Sequence, residues 1–410
     1  MALRLLHTSD WHLGHALYGF DRTPEHAAVL AWLLDRIEEE RVDALLLAGD
    51  VFDAANPPTE AVALWHRFLV EAWRRFPWLQ VVVVGGNHDS ASRLDATEPF
   101  LSALERLHVM GGVPRAGGEP DLSRLVVPLR DRAGQVAAWV AAVPFLRAGE
   151  TGAGTEEEIA AATRRFYDGV LAEARSRRSP GQALLAMGHL YLTGAQVSEL
   201  SERRLWSGNQ SAVGADLFPD DVAYAALGHL HLAQPVGGRD HVRYSGSLLP
   251  LALDERRYRH QVVIVELDGE ALSGWRALEA PRPVPILRIP EQGAAPLGEV
   301  VAAVKALPAR GPGAGPRPLL DVCVALEQPE PALRERLEEL LEGKAARLAR
   351  LKTGTPGTGR ALGDVEARAL AELSPEEVFL RKHEKDFGRA PEPELASLFR
   401  RLLEEVEGAA

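Results

Sequence analysis

The chain has 410 residues, too many for one compact core, and ordinary domain sizes lead to two or three folded units. A hydrophobic share of 46% and a charged share of 25% belong to a globular protein, and no stretch approaches the ~18 uninterrupted apolar residues of a membrane span. The formal charge of −12 excludes a protein that coats nucleic acid by general attraction, and the single cysteine, Cys323, excludes an internal disulfide and a thiolate-rich zinc site.

The first ten residues carry a short apolar run at 3–6 and then turn polar, without the hydrophobic region of a signal peptide, so the cytoplasm is the expected location. From residue 1 to about 274, within a first domain expected over 1–280, short apolar strands alternate with amphipathic helices, an α/β pattern. Strands are predicted at 3–7, 44–48, 80–84, 136–143, 183–187, 223–227, 242–244 and 262–267. The first helix is expected to start with Thr23 as N-cap and Pro24 in its first turn, with Leu30, Leu33, Leu34 and Ile37 at helical spacing. A second helix, 60–76, carries Trp65, Leu69, Ala72 and Trp73 as a core or dimer stripe, and the Gly- and Thr-rich residues 149–155 form a loop before a further helix.

A domain boundary is expected near 281–285. Beyond it, residues 286–289, 297–307, 319–326, 331–341 and 346–351 read as β-α-β-α-β, giving a second domain over 281–352. Residues 353–363 have the Gly, Thr and Pro composition of a linker. The remaining 364–410 form a helical pair, the second helix bearing an apolar stripe of Leu395, Leu398, Phe399, Leu402, Leu403 and Val406. Arginine-rich spots at 164–165, 175–178 and 203–204 read equally as phosphate contacts or as plain arginine usage.

Five short blocks carry the chemistry, each where an apolar strand ends. They are Asp10-Trp11-His12, Gly49-Asp50, Gly86-Asn87-His88-Asp89, Gly188-His189 and Gly228-His229-Leu230-His231. Loops at the carboxyl ends of strands are where an α/β sheet gathers its ligands, so the blocks are expected to converge. Four have glycine before the metal-type residue, which suits a backbone turning tightly beneath an ion. Asp10, His12 and His231 suit one divalent ion and Asn87, His189 and His229 another, with Asp50 bridging the two. Carboxylate, amide and imidazole donors without sulfur favour manganese, with iron, zinc or magnesium as alternatives.

Two such ions would clamp a phosphoryl group and activate water. Uncatalysed phosphate hydrolysis needs roughly 20 kcal/mol of acceleration, and one general acid supplies only ~10²–10⁴-fold, so charge stabilisation must supply most of it. His88 is surplus to the seven ligands and is assigned as general acid, oriented by Asp89 through its other ring nitrogen. Any one block recurs by chance, and a lone histidine is more often a hydrogen-bonded core residue; five in order at strand ends are far more specific. His7, His15, His26, His66, His108, His241, His260 and His383 keep that core or surface reading.

With these residues the chain resembles the calcineurin-like metallophosphoesterase superfamily. His7-Thr-Ser-Asp-Trp-His-Leu-Gly14, Gly49-Asp-Val-Phe-Asp53 followed by Pro57-Pro58, and Leu227-Gly-His-Leu-His231 continuing to His241-Val-Arg-Tyr-Ser-Gly-Ser247 are similar to the SbcD family, the nuclease subunits of bacterial SbcCD complexes. Leu373-Ser-Pro-Glu-Glu-Val-Phe379 extends the likeness toward the C-terminus.

The resemblance implies a sandwich of two mixed sheets flanked by helices, with a small α+β capping domain and a C-terminal helical pair. It implies double-strand exonuclease and single-strand or hairpin endonuclease activity on DNA ends and hairpins, in a repair complex. It also implies a homodimer formed through helices beside the site, within 58–76 and 92–107. ATP is to be handled by an SbcC-type coiled-coil ATPase bound by residues 364–410, because the chain has no Gly-x-x-x-x-Gly-Lys-[Ser/Thr] loop. Archaeal and eukaryotic relatives have a second histidine where this chain has Asp53, so no second catalytic histidine is assigned.

Two other readings stand beside this one. The metal site alone also suits a phosphoesterase acting on a nucleotide or small phosphodiester. A non-catalytic scaffold on the same fold would be marked by missing ligands, whereas all seven are present.

Overall fold

The computed structural model describes residues 2–96, 106–147, 150, 156–196, 213–326, 328, 330–354, 375–387, 389–392, 395–399 and 402–403. They fall into two compact units, one of Met1–His15, Arg22–Pro281 and Phe379–Ala410, the other of Ala16–Asp21 and Arg282–Val378. In chain order the first unit runs β1 (Ala2–Thr8), α1 (Thr23–Glu39), β2 (Ala44–Ala48), α2 (Thr59–Arg75), β3 (Gln80–Val84), α3 (Ala91–Asp95) and β4 (Leu107–Met110). It continues through β5 (Val126–Arg130), β6 (Val136–Ala142), α4 (Glu156–Arg177), β7 (Ala183–His189), β8 (Tyr224–Gly228), β9 (Gln234–Val236), β10 (Arg239–Tyr244), β11 (Gln261–Asp268) and β12 (Ala271–Glu279).

Two six-stranded sheets result, in the orders β12-β11-β1-β2-β3-β4 and β9-β10-β8-β7-β6-β5. Strands β1 to β4 run parallel in one, out to the edge at β4, and β6, β7, β8 and β10 in the other, and the remaining strands pair antiparallel. A strand covered on both faces must be apolar at every position, and β2 reads Ala-Leu-Leu-Leu-Ala with each residue fully buried. Its side chains alternate between two cores. Leu45 and Leu47 meet Leu33, Leu64 and Trp65 of α1 and α2, whereas Ala44, Leu46 and Ala48 share a core with β7 and β8 of the facing sheet. Burying each of the three leucines contributes about 1.5–3 kcal/mol. Two sheets face to face with helices outside are the expected sandwich.

Local expectations need two corrections in this unit. The residue preceding α1 is Arg22, and Thr23 is already helical. No side-chain cap holds that end; Arg22 does so through a two-pronged pair with Glu25, at 2.9 and 3.0 Å. On α2 the buried face is Leu64, Trp65, Phe68, Leu69 and Ala72, while Trp73 lies off it and is 49% exposed.

In the second unit β13 (Ile286–Ile289), β14 (Ala295–Pro296), α5 (Leu297–Ala306), β15 (Leu319–Ala325), α6 (Leu333–Leu340) and β16 (Arg347–Gly354) alternate as the sequence pattern predicts. β15 is central and pairs in parallel with the other three strands. Val300, Val304, Leu333 and Leu337 pack on Leu320, Val322 and Val324. Arg350 sits over the Tyr18 ring and Arg347 over Phe20, so a hairpin from early in the sequence belongs to this unit. Thr353 and Gly354, expected in the linker, continue β16 opposite Val324 and Ala325; residues 355–363 lie outside the described residues.

Near the C-terminus α7 (Pro375–Phe387) stacks Phe379 on Phe399, ring centroids 4.2 Å apart, while Leu395, Leu398 and Leu402 are exposed. Val406 lies outside the described residues. Among the described residues no helix is long and apolar enough to cross a membrane.

Candidate metal centre and active site

The five blocks meet at one end of the two parallel sheet centres. Register brings them level: Thr8 pairs with Leu47, Ala48 with Val84, and His189 with Gly228. Backbone bonds then tie the loops to one another, from Asp10 N–H to the Gly49 carbonyl and from His12 N–H to the Asp50 carbonyl, both at 3.0 Å. The backbone N–H of His88 donates to Asp50 Oδ1 at 2.9 Å, and that of His229 to Asp10 Oδ1 at 2.9 Å. Residues more than two hundred positions apart are thus fixed within a few ångströms.

All seven proposed ligands are gathered here. The ligand atoms of Asp10, His12 and His231 lie within 4.8 Å of one another, as do those of Asp10, Asp50 and His189. Asp50 Oδ2 stands 3.4 Å from His12 Nε2 and 3.4 Å from His189 Nε2. Asn87 Oδ1 lies 2.9 Å from His189 Nε2 and 3.1 Å from His229 Nδ1. His12 Nε2 is buried and has no hydrogen-bond partner. A buried donor or acceptor is seldom left so, and an imidazole nitrogen facing a carboxylate at 3.4 Å without bonding to it fits a pair of ligands aimed at one cation.

The backbone is strained where the candidate ligands sit. Of the six non-glycine residues with positive φ among the described residues, four are Asp10, His12, Asp50 and His229, at 52°, 45°, 49° and 102°. The glycines beside them act mainly by close approach, which corrects the expected tight turn beneath an ion. Only Gly49 of the four has positive φ, and a side chain there would meet the His189 ring. A methyl on Gly86 would overlap Asp50, and one on Gly228 the Ala48 carbonyl.

Charge is concentrated in this buried space. Burial raises the Asp10 carboxyl above its ordinary range, and nearby Asp50 adds to the effect. Burial pushes Asp50 the same way, but the imidazoles of His189, His88 and His12 outweigh it and hold Asp50 well below. Burial opposes the charged form of His189, yet Asp50 and Asp10 bring it up to about 9; burial and the neighbouring His189 keep His229 well below its usual value.

His88 stands beside this group, its ring 4.9 Å from that of His12. Its Nδ1 faces the Asp53 carbonyl oxygen at 2.8 Å, and because a carbonyl only accepts, Nδ1 carries the proton. Orientation by Asp89 is therefore corrected. Asp89 is buried and accepts from the backbone N–H groups of Val51, Phe52 and Gly86 at 3.1, 2.9 and 2.9 Å, which locks two ligand loops together.

Two supporting carboxylates escaped the sequence reading. Asp53 accepts from His12 Nδ1 at 3.1 Å, and Glu255, fully buried, from His231 Nδ1 at 2.8 Å. Glu255 lies in a Leu-Asp-Glu-Arg-Arg stretch that reads as a solvated surface, so only the fold reveals it. In the arginine-rich spots Arg164 pairs with Asp216, Arg175 with Asp221 and Arg178 with Glu270, while 203–204 lie outside the described residues.

A family model described as calcineurin-like phosphoesterase matches residues 3–233, and one described as type 5 capsule protein repressor C-terminal domain matches 282–387. The chain is 42% identical to the SbcD component of the SbcCD nuclease from Rhodobacter capsulatus, over 92% of this chain and 93% of that protein. The SbcD protein of Escherichia coli K12 is 31% identical, covering 99% of both chains, and that of Bacillus subtilis 33% identical over 67% of this chain and 68% of its own.

Proposed function

Since the chain belongs to the SbcD family of calcineurin-like nuclease subunits, we propose that it cleaves DNA at the centre built from Asp10, His12, Asp50, Asn87, His189, His229 and His231. It is a metal-dependent phosphodiesterase of the SbcCD type. Two divalent ions, manganese first, would suit this donor set, and when bound they would supply positive charge to acidify water and offset the charge of the transition state. The observation that carries the reading is Asp50 Oδ2 poised at equal distances from His12 and His189, the place of a shared ligand.

The protein's own groups have defined tasks. Ser9 and the His229 backbone N–H hold Asp10 in place, and Asp89 fixes the Gly86 and Asp50 loops. With His88 Nδ1–H committed to the Asp53 carbonyl, Nε2 is the nitrogen that faces the departing sugar oxygen, and the ring gives it a proton from the imidazolium form, in which both nitrogens carry one, ending as the Nδ1–H neutral tautomer.

The substrates are DNA ends and hairpins, opened by double-strand exonuclease and single-strand endonuclease action in the cytoplasm. Energy from ATP comes through an SbcC-type coiled-coil ATPase docked on the exposed Leu395, Leu398 and Leu402. A homodimer forms through α2, where Val70 and Trp73 are about half exposed beside an apolar groove of 570 Å³.

The test measures bound manganese together with cleavage of hairpin DNA and of an aryl phosphodiester, each with and without the ATPase. Two ions per chain are expected, with hairpin cleavage that requires ATP, and Asp50→Asn is expected to lose both metal and cleavage. Full hairpin cleavage by Asp50→Asn would overturn the assignment.

A further inference from the structure

The two ion positions are supported very differently. At the first, formed by Asp10, His12 and His231, each imidazole is backed by a carboxylate. Asp53 Oδ1 accepts a hydrogen bond from His12 Nδ1–H at 3.1 Å and Glu255 Oε1 one from His231 Nδ1–H at 2.8 Å, which turns both Nε2 lone pairs away from those carboxylates. Glu255 cannot swing aside, because it is buried and its other oxygen accepts from Leu251 N–H at 2.7 Å.

At the second position the backing is neutral. His189 Nδ1 donates to the Ala48 carbonyl at 2.9 Å, and Asn87 contributes an uncharged oxygen. Among the described residues no carboxylate backs His229, whose Nδ1 already points at Asn87. Asp50 is shared and Asp10, whose carboxylate also lies within 4.8 Å of the His189 ligand atom, stands close to both positions, but the backing carboxylates Asp53 and Glu255 serve the first position alone.

We infer that the ion at Asp10, His12 and His231 binds first and more tightly, and that the ion at Asn87, His189 and His229 is the exchangeable one. Asp53 and Glu255 are positioning residues in this scheme. They set the tautomer of each imidazole, raise its basicity and place negative charge behind the cation where the surroundings are too dry to screen it. Outer carboxylates of this kind typically change metal affinity about 10–100-fold each. Asp53 has a side chain one-third exposed, so its effect falls at the lower end, and Glu255 at the upper. A chain with one ion resident and the other weakly held is switched by the free divalent concentration, because only the doubly loaded site is complete.

The inference rests on the two-ion reading above, and the experiment keeps the two separable. The metal-free full chain is titrated with manganese, free ion being followed by electron paramagnetic resonance and heat by calorimetry. Two steps separated by at least about 100-fold are expected. Glu255→Gln and Asp53→Asn should weaken the tight step by about 10–100-fold and about 10-fold, leaving the weak step unchanged. Glu255→Asp, which keeps the charge, should restore part of the loss. Melting of each metal-free variant checks the fold, and if Glu255→Gln fails to fold, Asp53→Asn and Glu255→Asp carry the test. Two equal steps, or variants that weaken both steps alike, would overturn the inference while leaving two ions bound. Fewer than two ions would instead sink the reading beneath it.

Discussion

Gly86→Ala is the substitution that tests most directly whether the centre is held by close backbone approach. The new methyl would overlap Asp50 Oδ1 and its backbone nitrogen and lie 2.7 Å from Asp50 Cγ. None of these is the free end of a flexible chain. Asp50 is 2% exposed, has φ 49°, and its Oδ1 is occupied by the His88 N–H. The β2 and β3 loops must therefore part, and overpacking of a rigid site costs about 1–3 kcal/mol, here at the upper end. At roughly 2–4 °C per kcal/mol for a unit of this size, the melting temperature should fall by about 6–12 °C. Gly274→Ala in β12 is the control, since a methyl there meets nothing within 4 Å, and it should match or slightly exceed the parent. Calorimetry of the metal-free proteins gives the stability term, and manganese titration gives the functional one, with both steps weakened in Gly86→Ala alone. A Gly86→Ala protein that melts with the control and binds manganese normally would refute the reasoning.

Burial holds His7 near 3 and His26 near 3, whereas both titrate near 6.5 when unfolded, so the unfolded chain binds more protons between those values. Their stabilising effect is complete above about pH 6.5 and is lost as the pH falls, at up to about 1.4 kcal/mol per pH unit for each; urea unfolding from about pH 8 to about 4.5 should show that slope, and a flat profile would contradict it. In the second unit Arg350 meets buried Asp321 through two bonds of 2.8 and 2.9 Å. Asp321→Ala leaves that guanidinium uncompensated and should cost about 3–5 kcal/mol, read as early proteolysis within 282–354 while the first unit stays protected. His88→Ala should retain manganese and DNA binding and lose about 10²–10⁴-fold in cleavage rate; retained full activity would remove His88 from the reaction.

The parallel strands were legible because burial on both faces demands unbroken apolar runs, and β2 and β7 supply them in full. Edge strands left weaker marks. β5 contains Pro128, which a strand tolerates at a sheet edge, and the order of the sheet puts it there. β12 is half exposed and interrupted by Gly274, and β4 has only four residues. The seven candidate ligands were legible for a related reason, since each follows a strand end and the sheet aligns those ends. Asp53 and Glu255 work through contacts that no local pattern encodes. Asp53 stands 41 residues from His12, in a block whose metal-type residue is Asp50, and Glu255 24 from His231, in a charged stretch that a sequence assigns to solvent.

Strain and charge at the centre are two sides of one arrangement. Residues held at positive φ cost on the order of 1–3 kcal/mol each, and Asp10, His12, Asp50 and His229 persist there because both sheets fix the strand ends around them. The same rigidity crowds two buried carboxylates together, with Asp10 raised by burial and His189 brought up to about 9 by Asp50 and Asp10 against the effect of burial. A cation held by these proposed ligands would need His189 neutral and both carboxylates ionised, so its binding would expel protons and relieve the repulsion between Asp10 and Asp50. The fold thus keeps these side chains in a geometry that is unfavourable by itself and that positive charge would favour.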